Sequence, residues 1–291
     1  MASANQGPQI RAPESFDQPT HIPFAQTTRI IWGDEISGKV HDSFYFATDK
    51  LNQLVYGLAP GDVFRHSDRF PTMFSMDTVY CVLSGTLLVN NPGTGEVQRV
   101  KPGEVGLIHR NNWNYGFSYG ADPLRVLEFY VPPHSESSSV QEPELPDPKY
   151  IQDQWLGRWP DSQLAAEENS NIKVVRDADI LWRLEGKQKN QVLVGILVST
   201  DHITVGRIEL LPGRETDIRT HGGDLGLYLI EGELHVRFPD IEVDERGQTP
   251  WFDVKPSDGV YLPPGTRHQY YNPSDRPCSF IFGVSPCYLD K

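Results

Sequence analysis

His268 stands where the surrounding sequence is most specific. It follows Pro263-Pro264-Gly265-Thr266-Arg267, comes after the apolar run 259–262, and opens a second short run ending near Asn272. The Pro-Pro-Gly unit fixes a turn, and the runs on either side have the length of strands in a small barrel. A side chain at the start of a strand faces one side of the sheet or the other. Turned inward, this imidazole enters a barrel, where it can move protons or bind a metal. The same frame occurs upstream with asparagine in the histidine's place. Lys255 lies 13 residues before His268, and Lys101 lies 13 before Asn114.

Two further segments repeat in the same order. Residues 49–61 align without gaps to 201–213, and 79–87 align to 226–234. Three blocks at matching offsets mark an internal duplication, so the chain is expected to hold two copies of one module. Strand signals fall at 53–58, 79–83, 87–90, 124–131, 202–210, 225–230, 233–238, 259–262 and 279–284. The alternating stretch 112–120 reads as a half-buried strand. With 25 glycines and 24 prolines, the composition supplies the turns that many short strands need. Long helical patterns are scarce; helix formers gather only around 152–156 and 161–168.

The segment Pro263 to Asn272 resembles the second motif of the cupin superfamily, in which Pro-x-Gly is followed by His and then Asn. Ser257 stands where that motif begins with glycine. The resemblance covers about 28–133 and 172–291. It implies an all-β fold of two cupin barrels, each a double-stranded β-helix of jelly-roll type. The expected organisation is an arm at 1–27, a first barrel at 28–133, a linker at 134–171 and a second barrel at 172–291. Dimers through sheet edges are common in the superfamily, so a homodimer is expected.

In that superfamily two histidines and a glutamate of a first motif join the second-motif histidine on one divalent metal. Counted back from Gly232, those positions fall on Arg219, His221 and Leu225, with His268 as the fourth. Arginine beside a metal position opposes binding unless it turns away or holds an anionic substrate. Asp224 lies one residue before the glutamate position, and Gly222-Gly223 could bulge to aim it inward. His221, Asp224 and His268 would then suit Fe(II) or Mn(II), with oxygenase, isomerase or lyase chemistry on a small, possibly anionic, molecule. Without metal, His221 and His268 would supply acid–base groups and Arg219 an anion grip, making a binding or sensor module. Asp224 also reads as a solvated turn residue. Residues 219–232 look like the matching stretch of two-barrel ureidoglycine aminohydrolases, which carry manganese in the C-terminal cupin. Only His221 keeps its type there.

In the first copy the corresponding positions are Thr72, Phe74, Thr78 and Asn114, so no metal set remains. An alternative register offers His66 and Asp68, with His109 as a third partner if its strand turns it inward. The competing reading is a charged, solvated loop of Arg65, His66, Asp68 and Arg69.

A net charge of −13 argues against a nucleic-acid partner, which needs clustered cations. No apolar run of spanning length occurs, and no basic-then-apolar leader opens the sequence, so a cytoplasmic protein without membrane contact is expected. Cys81, Cys278 and Cys287 are too few for a disulfide framework and read as free thiols.

Overall fold

The computed structural model describes residues 12–131, 155–241, 247 and 250–289. Most of the expected linker and the first eleven residues of the arm lie outside this set. Each half of the chain folds as a large antiparallel sheet packed on a small one. The first large sheet runs, in spatial order, β12 (Ile172–Val175), β9 (Val105–Ile108), β6 (Thr78–Ser84), β11 (Leu124–Tyr130), β4 (Asn52–Leu58), β3 (Val40–Ala47) and β2 (Thr28–Trp32). Its small partner is β5 (Val63–Phe64), β10 (Tyr115–Ser118), β7 (Leu87–Asn91) and β8 (Glu96–Val100).

The second large sheet is β1 (Thr20–Ile22), β19 (Gly259–Leu262), β16 (Asp224–Glu231), β21 (Cys278–Ser285), β15 (Thr204–Leu210), β14 (Val192–Ser199) and β13 (Leu181–Glu185). Its small partner is β18 (Trp251–Val254), β17 (Leu234–Arg237) and β20 (Gln269–Tyr271). One short helix, α1 (Gln163–Glu168), falls where the helix formers gather. Among the described residues no helix is long and apolar enough to cross a membrane. All three cysteines are free.

The barrels exchange edge strands. β1, from the arm, pairs with β19 of the second barrel. β12, expected to open the second barrel, pairs instead with β9 of the first. Strand character is local, but the choice of partner is set by distant contacts. Asp258 holds the arm in place: its carboxylate takes His21 Nε2 at 2.9 Å and the Phe24 N–H at 3.1 Å.

Alternation along the strands of the large sheets divides their side chains between two cores. On β16, Leu225, Leu227 and Leu229 fill the second barrel, while Tyr228 joins a core between the barrels. On β11, Leu124 and Val126 face into the first barrel, and Leu127 and Phe129 face the inter-barrel core. Glycines on the second sheet make room for rings of the first. A Cβ on Gly283 would come within 2.7 Å of the Phe129 ring, and one on Gly259 within 2.4 Å of Tyr45. Gln53 Nε2 crosses the same seam to the Leu227 carbonyl at 3.0 Å.

Gly283→Val forces Phe129 out of its slot. It should cost about 1–3 kcal/mol, the usual range for overpacking a tight core. Chemical denaturation measures this, and an unchanged midpoint would mean the ring does not seat there.

Candidate functional site

In the second barrel the turn ending at Gly265 delivers His268 to the start of β20. A two-way backbone pair, at 2.8 and 3.0 Å, ties it to Arg219. His221 lies close by, its ring centroid 5.5 Å from that of His268. His268 is 1% exposed and His221 7%. Each ring's Nδ1 faces a backbone carbonyl, Thr266 at 2.9 Å for His268 and Tyr288 at 2.7 Å for His221. A carbonyl can only accept, so Nδ1 carries a proton in both rings, and in a neutral ring the lone pair then falls on Nε2. His268 Nε2 is buried without a partner. Burial, with smaller contributions from His221 and Arg219, pushes the His268 pKa down to about 3, so the ring is neutral.

The structure thus brings together three of the four residues singled out in this barrel. Arg219 is not aimed freely at a ligand, because its Nη2 meets Glu185 Oε2 at 3.0 Å. Asp224 lies apart from them. It accepts from Thr48 Oγ1 of the first barrel at 2.7 Å and is hydrogen-bonded to Tyr261, on the seam between the barrels. Gly222 and Gly223 form a bend packed against Ser285, where a Cβ on Gly223 would stand 2.2 Å from the carbonyl oxygen, and β16 then starts with Asp224 opposite Ser285. Leu225 points into the barrel, so its neighbour Asp224 must point out.

That leaves two nitrogen donors, an arginine and a leucine at the four metal positions. Zinc-like or iron-like centres take three or four protein donors. Among the described residues no cluster of three His, Cys, Asp or Glu could hold a metal. The donor set does not fit the metal that the fold implies.

The equivalent place in the first barrel holds a cavity of about 160 Å³. Thr72, Phe74 and Thr78, at three of the degenerate metal positions, line it, and so do Asp42, Tyr56 and Glu128. Asn114, at the fourth position, is structural: its Nδ2 donates to the Thr72 carbonyl at 2.9 Å, and its Oδ1 accepts from Tyr80 Oη at 3.3 Å. His66, Asp68 and His109 do not converge. His66 packs at 4.7 Å on Trp113, Asp68 is exposed, and His109 lies on the seam, 3.6 Å from Asp77.

Asp42 and Glu128 escaped the sequence reading. Asp42 sits opposite Tyr56 on β4, and Glu128 opposite Tyr80 on β6. Both occupy inward positions of strands whose other inward residues are mostly apolar. The readable signal was parity: 124, 126, 128 and 130 share one face, and Glu128 interrupts it. The duplication sharpens this. Register places Phe282 at the position of Glu128, since Phe282 faces Leu227 as Glu128 faces Tyr80. Likewise Val194, opposite Ile208, stands where Asp42 does. In the second barrel these apolar residues belong to a filled core. In the first, two acids border open space.

Burial, with Asp42 adding to it, raises the Glu128 pKa to about 8; burial raises that of Asp42 to about 7. Their ordinary values are 4.5 and 3.8. Between those values and the raised ones the native state holds protons that the unfolded chain has lost, so stability falls as pH rises from about 4 to 8. Glu128→Gln removes one of these protons from the balance. Its stability advantage over the parent should grow by at least about 1 kcal/mol across that window. Urea denaturation at pH 5 and pH 8 measures it, and parallel pH profiles would contradict the assignment.

Residues 206–284 match the cupin domain family model. No curated protein matches the chain in sequence. Solved structures match across nearly the whole chain at low identity. A putative glyoxylate-induced protein from Pseudomonas aeruginosa is 14% identical, with a TM-score of 0.65 over 98% of this chain and 96% of that one. YlbA from E. coli is 11% identical, with a TM-score of 0.64 over 97% and 96%. A mutant of oxalate decarboxylase OxdC from Bacillus subtilis is 12% identical, with a TM-score of 0.61 over 97% and 81%. Residues 206–284 thus carry a cupin domain, and the solved structures share the two-barrel fold of the chain as a whole.

Proposed function

We propose that this protein is a metal-independent bicupin that binds a small organic molecule in its first barrel, where Asp42 and Glu128 supply acid–base chemistry. The observation that carries the reading is the cavity holding both carboxyls. A cavity near this size accepts a benzene-sized molecule. A carboxyl with a pKa near 7 or 8 is partly protonated at neutral pH, so it can give or take a proton in the same cycle. That suits the isomerase and lyase types of chemistry better than oxygenation, which needs a redox centre. Tyr56 Oη, buried and without a partner, adds a hydrogen-bond group to the wall.

A second reading keeps the metal-dependent enzyme in the other barrel. It rests on the unpartnered Nε2 of His268, a donor poised like a ligand. The oxalate decarboxylase of Bacillus subtilis, a structural neighbour, has Mn(II) centres. Against it stand Leu225 and Arg219 at two of the four positions, and Asp224 on the far face of the strand.

Two measurements separate the readings. Phenol, titrated by calorimetry or followed by ring-current shifts, should bind the parent and lose at least about tenfold in affinity in Thr78→Leu, which fills the cavity. Equal binding in that variant with an unaltered melting point would place phenol elsewhere and remove the main support. Protein loaded with Mn(II) or Fe(II) and desalted should retain less than roughly a tenth of an equivalent. A full equivalent that disappears in His268→Ala would favour the metal enzyme.

A further inference from the structure

Resting on the first-barrel reading above, we propose that the ligand of this pocket is a small organic ammonium ion, held by aromatic faces and one of the two carboxylates. The cavity wall has no lysine, arginine or histidine. Two acids therefore share one pocket with no cation among its lining residues to balance either. Arg125, the nearest basic residue on β11, is turned away and lies 5.5 Å from the Phe24 ring centroid. In the empty pocket protons balance the pair, and a cationic occupant can take the place of one of them.

The remaining wall suits the same occupant. Tyr56, Phe64 and Tyr80 meet edge to face, with centroids 5.5 to 6.3 Å apart, forming an aromatic corner. Trp32, Phe44 and Tyr130 extend it. Ring faces attract ammonium ions, and more strongly once water is excluded. Tyr56 Oη, buried and unpartnered, is a further polar atom on this wall. An anion would face two acids and no donor charge. A neutral molecule would leave the paired acids without a purpose that the tyrosine hydroxyls do not already serve.

The titratable groups around the cavity are Asp42 on β3, Glu128 and Tyr130 on β11, Tyr56 on β4 and Tyr80 on β6. Burial keeps the tyrosines neutral, so the carboxyls alone respond near neutrality. An arriving cation favours the ionised carboxylate and releases a proton, so its affinity rises with pH.

Calorimetry on the full chain tests this with matched probes. Choline is compared with its neutral isostere 3,3-dimethylbutan-1-ol, and benzylammonium with benzyl alcohol. At pH 8.5 at least one ammonium should bind about tenfold more tightly than its isostere, and it should weaken about tenfold at pH 6. Glu128→Gln should erase that preference while leaving alcohol binding within about twofold. Asp42→Asn serves the same comparison if Glu128→Gln does not fold. Isosteres that bind as well as the cations, and are lost in Thr78→Leu, would overturn the ammonium ligand and leave the pocket standing. Absence of binding by all four probes would overturn the ligand and the pocket reading together.

Discussion

The central strands of the two large sheets are buried on both faces, and this constraint governs the rest of the molecule. One face closes a barrel and the other meets the neighbouring barrel. The buried residues on these strands are therefore assigned by parity to one of two cores, and a shift of one residue exchanges them. Asp224 and Leu225 illustrate the consequence. They are neighbours in sequence, yet one contacts Thr48 of the first barrel and the other packs among Leu227 and Phe282. Chemistry can be placed inside a barrel only at inward positions, whatever residue types lie next to them.

The seam also explains why the sheets are held in one register. Tyr45 and Phe129 enter slots that exist only because Gly259 and Gly283 lack side chains. Exchange of β1 and β12 then adds an edge strand of each half to the other. Separating the barrels would expose the shared apolar core and strip both sheets of a strand. A ligand site inside either barrel is thus braced from behind by the other, which favours rigid preformed walls over induced closure.

Much of the fold was legible because it is written twice. The Pro-Pro-Gly turn before His268, its echo before Asn114 and the aligned blocks identify two barrels without any structure. Ser257, where the superfamily motif begins with glycine, has φ of +73°, close to the +84° of Gly103 in the first copy. The backbone demand therefore survives the substitution. The strand partners of β1 and β12 were not legible, since pairing depends on distant chain. Nor was the direction of Asp224, because the Gly-Gly before it permits either a bulge or a bend. Asp42 and Glu128 were hidden differently. No motif marks them, and they matter only because register places them where Val194 and Phe282 fill the other barrel.

That comparison gives the duplication its functional meaning. Two modules with one topology have been filled differently at equivalent inward positions. In the second barrel, Leu225, Leu227, Phe280 and Phe282 are buried in the interior, near His221 and His268. In the first, Thr78 replaces Leu225 and Glu128 replaces Phe282, which opens space and supplies acids at once. The histidines that draw the eye in the sequence lie in the other barrel. The barrel that lost every family ligand has kept a cavity, and its aromatic walls raise the cost of leaving either carboxylate charged without a partner. A pocket of that kind selects for an occupant that brings the charge with it.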